Sequence, residues 1–171
     1  MPAPARCSSK GRDDSTGIIY WDVPYEPGTL RVEGIDKNGK AVADYEIKTY
    51  GEASKVKAVN LPILSQPLPN PPLKGRELGG KGKVVHLLID IVDTQGNRVL
   101  NYRNDVKCEV LSGGKLLGLE NANNSDMSAP KQPHKNANRG RLLAYIQRNA
   151  PSQSVRVRIT AEGLSPIEVT L

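Results

Sequence analysis

The residues best equipped for chemistry lie in one polar run, Glu120-Asn121-Ala122-Asn123-Asn124-Ser125-Asp126. It crowds several hard oxygens into a short span, as a calcium site does, with Glu120, Asn123 and Asp126 as the ligand candidates. Asn and Asp are also the residues that tight polar turns prefer, because they cap backbone amides and tolerate left-handed backbone. A self-bonded turn is the favoured reading and calcium the alternative. Glu109, Glu120 and Asp126 are close enough in sequence to suggest paired-carboxylate acid–base chemistry. Their places at turns and strand edges favour the structural reading. His86 and His134 have no Cys or His at metal-ligand spacing, so a transition-metal centre is not expected. Neither a Ser-His-Asp or Cys-His nucleophile pattern nor a phosphate-cradling glycine loop is found. No catalytic residue is assigned.

A second group is aromatic. Tyr20 and Trp21 precede a corner punctuated by Pro24, Pro27 and Gly28, and Tyr25 lies within it. Aromatic faces pack on apolar C–H surfaces, which makes Trp21 and Tyr25 the candidates for a glycan platform. Trp21 shares strand parity with Val23, and burial of large aromatics is the usual preference. A buried anchor is therefore expected at Trp21.

The 171 residues include 24 basic and 18 acidic side chains, a net charge of +6. Clustered Lys and Arg bind phosphate backbones by releasing counterions. Here the basic residues are scattered: Lys74, Arg76, Lys81 and Lys83 lie in a Pro/Gly segment, and Arg156 and Arg158 alternate with valines on a strand. No nucleic-acid-recognition motif accompanies them, so nucleic-acid binding is not expected. Cys108 shares parity with Val106 and Val110 and is read as a small core hydrophobe, while Cys7 lies in a polar tail. A disulfide between them is not expected. No stretch has the apolar length of a membrane span, and residues 1–17 have no apolar signal-peptide core. The chain is expected to be soluble, without a membrane partner or an export signal.

These residues need a frame, and the pattern gives an all-β one. Gly and Pro fall between short apolar runs, as turns do in β proteins. Residues 1–17 are expected to be a disordered or irregular lead-in. Strands are expected over 18–23, 30–36 and 41–49, the last two joined by the hairpin signal Asp36-Lys37-Asn38-Gly39-Lys40. These three would form a meander, with Ala43, Tyr45 and Ile47 on one face. Residues 61–82 carry a proline density that forbids ladder pairing, and are expected to be a linker or insertion. The second half alternates more regularly: 84–92, 98–100, 106–111, 115–119, 141–148, 155–161 and 167–171 are strand candidates. Residues 120–140 would be a long polar loop. Residues 141–148 are apolar in both phases, as a strand buried on two faces would be. Seven short strands at this spacing suggest an immunoglobulin-like β-sandwich over 83–171.

Two segments resemble the C-terminal accessory domains of bacterial glycoside hydrolase family 2, the β-galactosidase-like enzymes. Trp21-Asp22-Val23-Pro24-Tyr25-Glu26-Pro27-Gly28-Thr29-Leu30, with Asp36–Lys40 and Ile47-Lys48-Thr49-Tyr50-Gly51-Glu52, is similar to the end of the immunoglobulin-like domain that follows the catalytic barrel. Ile89-Asp90-Ile91-Val92-Asp93-Thr94-Gln95-Gly96-Asn97, Leu116–Glu120, Asn124–Met127 and Gly140–Gln147 resemble the final, invasin-type sandwich. Against that family the chain departs twice: residues 18–60 would be a truncated, partial sandwich domain, and 61–82 an unusual insert.

The resemblance implies a non-catalytic module that packs on or orients a catalytic barrel in carbohydrate degradation. It implies polysaccharide as a further partner, no cofactor beyond the calcium already considered, and a parent enzyme in the periplasm or outside the cell. Retaining glycosidases hold two carboxylates about 5–5.5 Å apart, commonly in a barrel of about 250 residues. No segment here matches that barrel, so its catalytic residues are not carried over. The alternative is a free-standing glycan-binding or adhesive sandwich.

Overall fold

The computed structural model describes residues 9–13, 15–61 and 84–171, and these form strands and turns with no helix. The chain divides into two units, Met1–Thr49 and Tyr50–Leu171. Most of the expected linker and Cys7 lie outside the described residues.

The first unit is two separate hairpins. Ser9–Asp13 (β1) pairs antiparallel with Ile18–Asp22 (β2), so the expected irregular lead-in contains a strand. The Tyr20 ring lies across Gly11, in the space that a side chain at position 11 would occupy. Thr29–Ile35 (β3) pairs with Ala41–Lys48 (β4). The turn between them follows its sequence: Asp36 Oδ1 accepts the N–H groups of Asn38 and Lys40 at 2.8 and 2.9 Å. Gly39 takes the left-handed backbone, φ 81°, that a residue with a side chain adopts at a cost.

The expected three-strand meander is corrected: β2 pairs with β1, and β3 with β4, as two sheets. Six residues, two of them proline, connect β2 to β3, and proline's fixed φ and missing N–H suit a corner better than a tight hairpin.

The β3–β4 hairpin is amphipathic by register. Leu30 sits opposite Ile47 and Val32 opposite Tyr45, with Arg31 opposite Glu46 and Glu33 opposite Asp44 on the alternate parity. Arg31 pairs with Glu33 and Asp44, and Lys48 with Glu46. Residues 15–49 of this unit bury no side chain. Trp21 is 43% exposed, which corrects its reading as a buried anchor; two-stranded sheets have no second layer to cover an aromatic.

The second unit is a sandwich of two four-stranded antiparallel sheets. Its strands are Lys55–Leu61 (β5), Val84–Val92 (β6), Asp105–Ser112 (β7), Gly114–Glu120 (β8), His134–Asn136 (β9), Arg141–Arg148 (β10), Arg156–Ala161 (β11) and Ile167–Thr170 (β12). One sheet runs β5-β6-β10-β8 and the other β12-β11-β7-β9. Inward residues meet in register, with Leu142 opposite Ile89, Ala144 opposite Leu87 and Ile146 opposite Val85. In the facing sheet Ile159 lies opposite Cys108 and Val157 opposite Val110. Apart from the partly buried Val110, these side chains are almost wholly shielded from water, and burying each large aliphatic one stabilises by about 1.5–3 kcal/mol. Gly113, at φ 79°, is the corner where the chain leaves one sheet for the other. A side chain there would strike the Ser154 carbonyl.

Four expectations change here. Lys55–Leu61, most of which falls within the expected 18–60 domain, pairs with β6 in the second unit. Residues 98–100 form only a single bridge, Arg98 to Val92. The long polar loop contains β9, which pairs with β7. Finally, β10 is buried on one face only. Leu142, Ala144 and Ile146 face the core, whereas Leu143 and Tyr145 are half-buried on the outside. There Tyr145 meets His86 edge to face, with ring centroids 5.0 Å apart.

Candidate functional site

The polar run after β8 folds back on itself. Glu120 Oε1 accepts the Ala122 N–H at 2.7 Å, Asn123 Oδ1 that of Ser125 at 3.2 Å, and Asp126 Oδ1 that of Ser128 at 2.9 Å. Ala122 takes a left-handed φ of 55° to let the first of these turns close. Asn121, buried, ties the run to β9: its Nδ2 donates to Asp126 Oδ2 at 2.7 Å and to the Asn136 carbonyl at 2.9 Å.

The cation among these oxygens is an ammonium. Lys135, 6% exposed, reaches from β9 so that Nζ lies 3.1 Å from Asp126 Oδ2. It also donates to Ser128 Oγ at 2.7 Å and to the Ser128 carbonyl at 3.2 Å. Hydrogen bonds from Ser128, then Lys135 and Asn121, hold the Asp126 carboxyl well below the usual carboxylate range. The three calcium candidates are thus each engaged locally. Among the described residues no three His, Cys, Asp or Glu side chains group as a metal site. The temptation to pair Glu109, Glu120 and Asp126 meets the same geometry: Glu109 faces Lys107 at 2.7 Å, and the other two serve turns.

Beside this loop is a polar cleft of about 410 Å³. Its walls come from the start of β7, the 121–128 turn and β9 with its flanks. Sequence reasoning missed Arg103, Gln132, Asn136 and Asn138, which line it. No local spacing marks them, because the β7–β9 pairing brings residues about thirty positions apart together. His134 Nδ1 lies 3.0 Å from Asp105 Oδ1, and Arg103 Nη1 donates to Asn138 Oδ1 at 3.3 Å.

The aromatic candidates lie in the first unit. Tyr25 is 81% exposed and borders a small groove of about 210 Å³, shared with Pro24, Leu30 and Ile47. Trp21 is not among the residues lining that groove.

Elsewhere the second unit is tied by side chains that do not form sites. Asp93 accepts N–H groups from Gly51, Gln95 and Asn97 at 2.9 Å each. Those bonds, Gly51's foremost, lower its pKa to about 2. The Cys108 thiol is free and buried, and burial pushes its pKa up to about 12, with Glu109 adding to the shift. Arg141 grips Asp90 with two nitrogens, at 2.6 and 2.8 Å.

Comparison with known proteins places this arrangement. The chain is 27% identical over 156 residues to the beta-galactosidase BoGH2A of Bacteroides ovatus, covering 91% of this chain and 17% of that protein. A beta-glycosidase from Bacteroides vulgatus has the same fold, with a TM-score of 0.72 at 23% identity over 91% of this chain and 19% of its own. A glycosyl hydrolase family 2 member from Bacteroides cellulosilyticus matches with a TM-score of 0.73 at 18% identity, covering 92% of this chain and 20% of that one. The chain therefore spans a small part of each relative. Residues 7–43 match a domain of unknown function (DUF4982). Residues 78–170, more than half of the chain, match the model described as glycoside hydrolase family 2 C-terminal domain 5, and the chain belongs to that family as an accessory domain.

Proposed function

We propose that this chain works as a non-catalytic accessory module of a β-galactosidase-like family 2 enzyme, packing on the remainder of that enzyme. The observation that carries the reading is the β3–β4 hairpin. Leu30, Val32, Tyr45 and Ile47 make one apolar face, exposed by 42, 40, 68 and 49%. A two-stranded hairpin with such a face is marginal alone in water, and contiguous exposed apolar surface marks an interaction site. The small share of each relative that the chain covers supports the same reading.

Activity tests it. The purified chain should leave nitrophenyl β-galactoside and β-glucuronide intact, and turnover that persists through repurification would overturn the reading. A second reading, a glycan platform at Tyr25 and Trp21, is favoured by the exposure of Tyr25 beside its groove. It would show as sugar affinity lost in Tyr25→Ala.

A further inference from the structure

We infer that the cleft between the start of β7 and the 121–138 segment binds an uncharged sugar ring. Its volume, about 410 Å³, falls in the range of small-ligand pockets. Its chemistry is that of hydroxyl recognition. Gln132 and Asn136 line it with side-chain amides that make no hydrogen bond to any described residue. Each amide offers two donors and an acceptor, so one side chain can both give to and take from adjacent hydroxyls. His134, its Nδ1 engaged by Asp105, keeps its second ring nitrogen for a ligand. Asn138 accepts from Arg103 through Oδ1, which leaves its Nδ2 as a donor.

Charge narrows the class. Arg103 and Lys135 on the lining are balanced by Asp105 and Asp126, and Lys135 with Asp126 forms an internal pair. A cleft so balanced favours neither an anion nor a cation and suits a neutral polyol. Its wall is also held before any ligand arrives, because Asn121 and Lys135 join the loop to β9, and a preformed site loses less on binding. Met127, 92% exposed at the rim, offers an apolar contact for a ring's C–H face. With no aromatic platform in the lining, affinity in the millimolar range is expected.

The inference rests on the family reading only for its probes. The intact, ¹⁵N-labelled chain is titrated with methyl β-galactoside and methyl β-glucoside, with methyl β-glucuronide as the charged comparison. Saturable shifts are expected at Arg103, Gln132, His134 and Asn136 with at least one neutral sugar. Gln132→Ala and Asn136→Ala should each weaken binding several-fold while the rest of the spectrum is unchanged. The inference is overturned by absence of saturable shifts at tens of millimolar sugar, or by shifts that both variants retain. Shifts confined to Trp21 and Tyr25, or a response to the glucuronide alone, overturn it equally. None of these outcomes touches the accessory-module reading, which is decided by turnover.

Discussion

The Asp93 carboxylate takes the Gly51 N–H at 2.9 Å across 42 positions of chain. The same group closes the turn after β6 through Gln95 and Asn97, and Asn97 Nδ2 adds a contact at 3.2 Å. One side chain thus shapes its own turn and pins the segment that leads into β5. Replacing it with Asn keeps the shape but loses the charge-assisted bonds, which are roughly twice as strong as neutral ones.

The Asp93 carboxyl titrates at about 2 in the folded chain, against an ordinary 3.8. A carboxylate with a lowered folded pKa contributes stability above its unfolded pKa and loses it as pH falls through the folded one. Melting midpoints should therefore fall between about pH 4 and pH 2. Asp93→Asn should lower the midpoint at neutral pH and flatten the acid limb. An unchanged acid limb in the variant would assign it to Asp126 and Glu168, whose pKa values are lowered too.

Lys135 is the second test. Lys135→Met leaves Asp126 facing only neutral partners and removes the ammonium from Ser128. Breaking one half of a buried pair costs more than removing both, so Lys135→Met should melt lower than the double variant Lys135→Met, Asp126→Asn. Calorimetry on the two and the parent decides it. A double variant as unstable as the single one would remove the ammonium from its central place.

The core gives a quantitative expectation. Leu142 is fully buried opposite Ile89, and Leu142→Ala should cost about 2–5 kcal/mol in chemical denaturation. Ile167→Val, in a half-buried position on β12, should cost less. The Cys108 thiol, pushed up to about 12 and fully buried, should resist alkylation at pH 8 until the sandwich unfolds. Rapid labelling in the native chain would mean that β7 opens far more readily than its packing implies.

Hydrogen exchange should separate the two units. Residues 15–49 bury no side chain, whereas among the described residues the buried aliphatic core lies in the second unit. Amides of β3 and β4 should exchange faster than those of β6, β10 and β11. Equal protection would show that something covers the first unit's apolar face in solution.

What was legible in the sequence was what neighbouring residues decide. Strand alternation named the inward sets of β7 and β11 and made Cys108 a core residue. The Asp36–Lys40 turn followed from Asn-Gly chemistry, because φ > 0 at Gly39 is a local preference. The Asn/Asp run was recognised as a self-bonding turn for the same reason.

Tertiary structure alone decided what depends on a partner distant in the chain. That β2 pairs with β1, that β5 joins the sandwich, and that one face of β10 stays half-exposed all depend on which strand lies alongside. Nothing in the oxygen-rich run foretold that Lys135 would supply its cation, since that needs β9 docked on β7. Alternation fixes which way a side chain points; only the packed fold decides what it meets there.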